Sequence, residues 1–347
     1  MIPRLWSVAL CGYYGFGNLG DELLAKALIL GMERCGVPRG RLVVLSGNPE
    51  RTSRELGVAA VNRWKLREVW EALSRAETLL LGGGGLFQDS TSLRSALYYA
   101  GVVHLARRAG CRPWAFGQSV GPLKSGMAQR LARNALRHCV LRVVRDEPSE
   151  TLLKRWKLEC RRTSDAVFLL AEAPEESASG AEKVLLVNVR PWPGELPRLC
   201  ARNAATEAAR RGWRLMGVAL APEDEKTMEY LRREGDFPCE RVVRLEHLRS
   251  ARDLFRTASA AVGMRLHFLV LATLFRRPAV AVPYDPKVWA FAQNWGLPCW
   301  DGKKNFPDPQ GAKKNPDEAR EEVHAALRDV WSEIVPMVRS REGGRSA

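Results

Sequence analysis

The chain has 347 residues, a formal net charge of +15, and 46% apolar residues. That is enough for one large domain or two ordinary ones with sizeable cores, and it excludes a disordered or fibrous chain. No apolar stretch reaches the roughly 18 to 20 residues that a membrane-spanning helix needs.

Taken in chain order, the first half alternates short apolar runs with amphipathic ones. "SVALCGY", "LVVLSG", "TLLLGGGG", "PWAFGQSVG" and "VLRVVRD" read as strands. "LGDELLAKALILGMERCG", "LREVWEALSRA", "LRSALYYAGVVHLARRAG" and "SGMAQRLARNALRHC" carry apolar residues at three- and four-residue spacing and read as helices. The opening, "IPRLWSVALCGYYGFG", leads straight into a glycine loop. It reads as a first buried strand rather than a secretory signal, so the expected location is cytoplasmic.

Residues 169–183, "LLAEAPEESASGAEK", are acidic, small and proline-containing, and read as a linker. The alternation then restarts with "VLLVNVRPW", "WRLMGVAL", "AAVGM" and "PAVAVPY" as strands. "LCARNAATEAARRG", "LRSARDLFRTAS" and "RLHFLVLATLFRR" are the intervening helices. Two such halves predict two Rossmann-like α/β domains facing each other across a cleft. The expected boundaries are 1–175 and 182–315, followed by a terminal helix over 316–340.

The basic excess is regional. Residues 101–163 hold 14 Lys and Arg against 4 Asp and Glu, whereas residues 301–347 hold 9 of each. Solvated helix faces explain such a run, and so does an anionic membrane surface or nucleic acid. No helix-turn-helix, zinc-finger or RNA-recognition pattern accompanies it, so nucleic acid is not the expected partner. The eight cysteines are scattered without a C-x-x-C pair, which argues against a zinc site and a disulfide framework.

Polar clusters sit at the ends of the predicted strands, where open parallel sheets bind ligands. In "GYYGFGNLGDELL", Tyr14, Asn18 and Asp21 accompany a glycine turn that opens a helix and can hold a phosphate or a sugar hydroxyl. G-x-G-x-x-G occurs there, but the acidic ribose partner of dinucleotide sites is missing. In "LLLGGGGLFQDS" the four glycines, Gly84 and Gly85 among them, read as a loop lining the cleft, with close helix–strand packing as the plainer alternative. Gln118 and Ser119 end "AFGQSV", and Arg145 ends "VVR" beside Asp146. In the second half, Arg190 follows "VLLVNV", Gly263 ends a strand, Arg265 and His267 open a helix, and Tyr284 and Lys287 follow the last strand. The evident chemistry is cationic recognition of an anion, with one residue able to move protons near neutral pH. A core histidine is the plainer reading of His267. No metal-ligand pattern appears.

"GYYGFGNLGDE", "LLLGGGGLFQD", "GQSVGP", "RDEPS", "VNVRPW" and "GMRLHFLVLAT…RRPAVAVPYDPKV" together resemble the bacterial polysaccharide pyruvyl transferase family, over about residues 8–298. The likeness is greatest to the cell-surface-anchoring branch that modifies secondary cell-wall polysaccharide. The resemblance implies a GT-B-like fold and phosphoenolpyruvate as co-substrate, with no further cofactor. It implies a lipid-linked N-acetylmannosamine-type acceptor, a 4,6-pyruvyl ketal product and released phosphate. Arg145, His267 and Lys287 match the family's reaction centre. Arg265, Gly263, Arg190 and Tyr284 are then expected on the donor side. Tyr14, Asn18, Asp21, Gly84, Gly85, Gln118 and Ser119 are expected on the acceptor side. The pair Arg276-Arg277 and Pro283 depart from the family pattern without removing a catalytic group. Two alternatives remain: a nucleotide-sugar glycosyltransferase, for which residues 263–300 lack the expected paired-glutamate spacing, and a non-catalytic binder of nucleic acid or another anion.

Overall fold

A computed structural model describes residues 4–89, 93–172, 183–303 and 306–343. The first half contains β1 (Trp6–Cys11), α1 (Leu19–Arg34), β2 (Leu42–Ser46), α2 (Pro49–Leu56), β3 (Ala59–Asn62), α3 (Leu66–Ser74) and β4 (Ala76–Phe87). It continues with α4 (Leu93–Arg108), β5 (Arg112–Val120), α5 (Gly126–Arg137), β6 (Arg142–Val144), α6 (Glu147–Arg155) and β7 (Arg161–Arg162). The seven strands form one sheet in the order β3-β2-β1-β4-β5-β6-β7, and every pairing is parallel. Val8–Cys11 of β1 and Leu42–Leu45 of β2 are apolar and buried, as expected for strands covered on both faces.

The second half contains β8 (Val184–Asn188), α7 (Leu196–Arg211), β9 (Arg214–Ala219), α8 (Pro222–Arg233) and β10 (Val242–Arg244). Then come α9 (Leu248–Thr257), β11 (Ala258–Gly263), α10 (Leu266–Leu274), β12 (Ala279–Ala281) and α11 (Pro286–Trp295). Its parallel sheet runs β10-β9-β8-β11-β12. Each sheet has the doubly wound order, so each has a point where the winding reverses. In the second sheet that switch lies between β8 and β11, where Gly263 pairs with Asn188.

By packing, the chain divides into two units. The first holds residues up to Phe16, Asp21–Leu170 and the chain from Ala319 onward, and the second holds Gly17–Gly20 and Ala171–Glu318. The long last helix, α12 (Pro316–Gly343), therefore joins the first unit over most of its length. Val323, Leu327, Val330 and Ile334 form its buried stripe, and the Glu322 carboxylate accepts from the Ser164 amide and hydroxyl. Most of the expected linker, residues 173–182, lies outside the described residues.

Four glycines did not become a loop. β4 runs through Gly82–Gly85 to Phe87, and the reason is helix packing. A Cβ on Gly82 would meet Leu28, one on Gly83 would meet Leu24, and one on Gly84 would sit 3.2 Å from the Asp21 carboxylate. Asp21, Leu24 and Leu28 form one stripe of α1, so side-chain-free positions let that helix lie directly on the strand. Gly83 and Gly84 also take positive φ, +69° and +75°, which other residues rarely adopt.

All eight cysteines are free thiols, and five are buried. Burial pushes Cys11, Cys139 and Cys200 up to about 12, so they stay protonated near neutral pH and act as apolar core. Among the described residues, no helix is long and apolar enough to cross a membrane.

Candidate functional site

In the second unit, the residues expected on the donor side follow β8, β11 and β12, all at the carboxyl ends of strands. Asn188 organises the switch point. It is fully buried; its amide group donates to the Val218 carbonyl, and its Oδ1 accepts from the Arg265 backbone N–H at 3.0 Å. Arg265 occupies the N-cap position of α10. Its guanidinium donates to both oxygens of Asp224, at 2.6 and 2.7 Å, and to Glu223 at 2.7 Å. Burial opposes the charge of Arg265, but the two carboxylates outweigh it and hold the guanidinium pKa above its ordinary value. Burial likewise works against Glu223, yet a backbone hydrogen bond, Arg265 and Arg190 keep its carboxyl below the usual range. The expected anion clamp therefore contains an arginine whose charge is already offset by carboxylates.

Arg190 is bound differently. It donates to the Tyr284 hydroxyl at 2.7 Å, and its guanidinium lies 4.8 Å from the Tyr284 ring centre and 5.6 Å from that of Trp192. The two rings are 4.6 Å apart, so residues separated by 94 positions in sequence form one cation–aromatic cluster. Lys287 lies in the first turn of α11. Its N–H caps onto Asp285 at 3.0 Å, and its ammonium is 3.5 Å from the same carboxylate.

His267 is the one residue of α10 that is not buried. Leu266 and Phe268 through Leu274 fill the core, while His267 projects toward Gly20, in the first turn of α1 and in the same unit. A Cβ on Gly20 would lie 2.1 Å from His267 Nδ1, so the glycine makes room for the ring. Gly263 serves packing: a Cβ there would meet Phe268 at 2.3 Å, and the residue is buried.

In the first unit, Arg145 follows β6 and is 9% exposed. Its Nε donates to Ser119 Oγ at 2.7 Å and its Nη1 to Asp165 at 2.6 Å. Ser119 in turn donates to Asp146, which caps α6 by accepting from the Ser149 amide. Arg145, Ser119, Asp146 and Asp165 thus form one largely buried network.

Several residues expected to contact an acceptor are interior. Tyr14 is fully buried and its hydroxyl donates to the Gly82 carbonyl. Gln118 is also fully buried; its amide donates to the carbonyls of Leu81 and Gly83, and its Oε1 has no hydrogen-bond partner among the described residues. Gly84 lies under Asp21, as described above, and Gly85 is half-buried beside Gln88. Asn18 accepts from the Gly20 amide and so caps α1. Part of the glycine loop is tied down from within the protein. Its amides at Gly15 and Phe16 donate to the Glu22 carboxylate at 2.9 and 3.2 Å.

Asn188, Glu223, Asp224 and Asp165 were missed in sequence. "APEDEK" does carry a signal, since acidic residues after a strand at a proline-opened helix are placed on the same rim. Asp165 had none, because it lies twenty positions beyond Arg145 in an irregular segment. Among the described residues, no three His, Cys, Asp or Glu side chains gather into a metal-ion cage.

The fold is similar to that of UDP-GlcNAc 2-epimerases. The enzyme from Methanocaldococcus jannaschii matches with a TM-score of 0.64 at 8% identity, over 94% of this chain and 99% of that one. The enzyme from Rickettsia bellii matches with a TM-score of 0.56 at 12% identity, over 96% and 98%. An alpha-glucosyltransferase solved with UDP and a 13-mer DNA matches with a TM-score of 0.52 at 8% identity, over 94% of each chain. At such identities the likeness is of fold, and it places the two parallel-sheet units in the GT-B class. The comparison with curated proteins returns no match. The family model described as polysaccharide pyruvyl transferase matches residues 18–286, ending one residue before Lys287. With that match spanning most of its length, the chain belongs to the polysaccharide pyruvyl transferase family.

Proposed function

We propose that the protein transfers the enolpyruvyl-derived group of phosphoenolpyruvate to a lipid-linked aminosugar of a cell-wall polysaccharide precursor, in the manner of the cell-surface-anchoring branch of its family. The observation that carries this reading is the rim of the second unit. Arg190, His267, Tyr284 and Lys287 follow three strands around one topological switch point in a chain of this family. Phosphoenolpyruvate carries a phosphate and a carboxylate, so its site needs cations with fixed geometry.

In the proposed reaction the methylene carbon of the donor takes up a proton, and C2 becomes oxocarbenium-like. One sugar hydroxyl adds to C2 and loses its proton. Phosphate leaves with the electrons of its C–O bond, and the second hydroxyl adds to the same carbon and gives up its proton to the departing phosphate, closing the 4,6-ketal. His267 is the group suited to proton transfer, which is worth roughly a hundredfold to ten-thousandfold. Arg145, Arg190 and Lys287 are assigned to the charge of donor and departing phosphate. Asn18, Asp21 and Ser119 stay as assigned acceptor-side residues. The proposed location is the cytoplasm, at the inner face of the membrane that holds the acceptor.

Phosphate release from phosphoenolpyruvate, measured with and without a lipid-linked or aryl-tagged N-acetylmannosamine acceptor, tests this. Acceptor-dependent release, with a ketal on the product by mass, is expected. Activity only with a nucleotide sugar would replace the reading by glycosyl transfer.

A further inference from the structure

We propose that the outer faces of α4 and α5 form a binding surface for anionic lipid headgroups, through which the first unit sits on a membrane.

The sequence from residue 90 to 145 holds ten Lys and Arg and no Asp or Glu. Both α4 and α5 lie wholly within it, and they pack against each other. In α5, Ala128, Ala132, Ala135 and Leu136 are buried. Arg130, Arg133 and Arg137 follow at three- and four-residue spacing along the opposite, exposed face. In α4, Val102, Val103 and Ala106 fill the core while His104, Arg107 and Arg108 are exposed. The two rows meet where Arg107 Nη1 donates to His138 Nε2 at 2.9 Å. Burial, and then Arg107, Arg137 and His104, hold the His138 imidazole below its ordinary pKa, as expected where cations gather without an anion.

These charges are not offset from within the protein. Among the described residues, none of Arg107, Arg108, Arg130, Arg133 and Arg137 forms an ion pair with a carboxylate. Arg133 donates to the Trp156 carbonyl at 3.5 Å and Arg137 to Asn134 at 3.0 Å, both neutral acceptors. The Trp156 contact brings the end of α6 alongside, with Arg155 and Lys157 exposed there. Of the α6 carboxylates, Glu150 is taken by Lys154 and Arg162, and Glu147 lies in the first turn, at the other end.

Folding does not account for the stripe. Arg107, Arg108 and Arg137 stand in last turns, where cations complement the helix dipole, but Arg130 and Arg133 lie in the body of α5. Like charges three or four residues apart repel each other, so this face is suited to an anionic partner.

Apolar tips decide between lipid and nucleic acid. Leu97 lies two turns before His104 and is 48% exposed; Met127 lies one turn before Arg130 and is 54% exposed. Such tips enter the acyl boundary while arginine side chains reach the headgroups. No Trp, Tyr or Phe of α4 or α5 is exposed, so these faces lack the stacking platform that single-stranded nucleic acid uses. For its place in the cell this inference rests on the proposed lipid-linked acceptor, but it is measured without donor or acceptor.

The full chain is floated with vesicles of phosphatidylcholine alone and of equal parts phosphatidylcholine and phosphatidylglycerol, at low and high salt. Binding to the mixed vesicles, weakened by salt, is expected. Replacing Arg130→Gln, Arg133→Gln and Arg137→Gln together should lower partition about a hundredfold, at about fivefold per charge. Arg233→Gln, Arg241→Gln and Arg249→Gln remove the same charge from exposed positions of the second unit and should leave partition nearly unchanged. Leu97→Ser with Met127→Ser should lower the fraction that stays bound at high salt. Melting temperature, and phosphate release with a water-soluble acceptor, should match the wild type in all three variants, since every replaced side chain is exposed. Undiminished binding by the α5 variant, an equal loss in the second-unit variant, or no binding by the wild type overturns the proposal. Retention of duplex DNA without vesicle binding would assign the face to nucleic acid and overturn it as well. Vesicle binding that depends on the three α5 arginines, without phosphate release from phosphoenolpyruvate, would sink the catalytic reading and leave this one standing.

Discussion

Asp224 receives two hydrogen bonds from one arginine: Arg265 Nε at 2.6 Å and Nη2 at 2.7 Å, with the Asp224 side chain wholly buried. This bidentate pair joins the start of α8 to the start of α10 beside the β8–β11 switch point. Arg265 is therefore fixed in place, and its net contribution to an anion site is reduced by the two carboxylates it serves.

Asp224→Asn should cost about 3–5 kcal/mol, because it leaves a buried guanidinium without its main counter-charge. Glu223→Gln should cost about 0–1 kcal/mol, since that carboxylate side is 52% exposed. Urea unfolding of both variants checks the contrast. Equal costs would mean that Asp224 is not the principal partner.

Arg145→Ala should carry a stability cost. The pair with Asp165 has both side chains under 5% exposed, at 4% and 3%. Loss of one partner should lower stability by about 3–5 kcal/mol. The double variant with Asp165→Ala should lose less than the sum of the singles, and a double-mutant cycle measures the difference. Additive losses would argue against coupling. Turnover is then best compared using Arg145→Lys, which retains the charge.

His267→Gln should melt like the wild type, because the ring is the one part of α10 outside the core, and should lose about a hundredfold or more in turnover. Gly20→Ala should act in the same direction. Its new Cβ has to push the His267 ring aside, and a displacement of about 1 Å can cost a hundredfold. Calorimetry and turnover on one preparation check both variants. An early melt with an unchanged rate would make His267 structural.

Alkaline pH should destabilise the second unit through Cys200. Burial pushes this thiol up to about 12, whereas in the unfolded chain it ionises near ~8.5. Between those values the unfolded chain releases a proton that the folded chain keeps. Stability that is complete below the lower value is therefore lost as pH rises toward the higher, at up to ~1.4 kcal/mol per pH unit. Cys200→Ala should flatten this branch in urea titrations from about pH 7.5 to 10.5. An unchanged slope would assign it to other groups.

The sequence by itself determined the two rounds of strand and helix, because a parallel sheet covered on both faces demands apolar runs separated by amphipathic ones. It also placed Arg145, Arg190, Arg265, His267 and Lys287 after strands, at the carboxyl ends of two sheets. It missed β3, β7 and β10, and all three are edge strands. Such strands bury little, so their composition carries little signal. Only the tertiary structure decided what each polar group meets. Arg265 and Asp224 are 41 positions apart, Arg145 and Asp165 are 20 apart, and Arg190 and Tyr284 are 94 apart. Local propensity cannot see such pairs, since the sheet order that joins them is set by the burial of whole elements. The same holds for the glycines of β4. Their spacing is visible in sequence, but whether they clear space for a ligand or for a helix depends on Asp21, Leu24 and Leu28 arriving from α1.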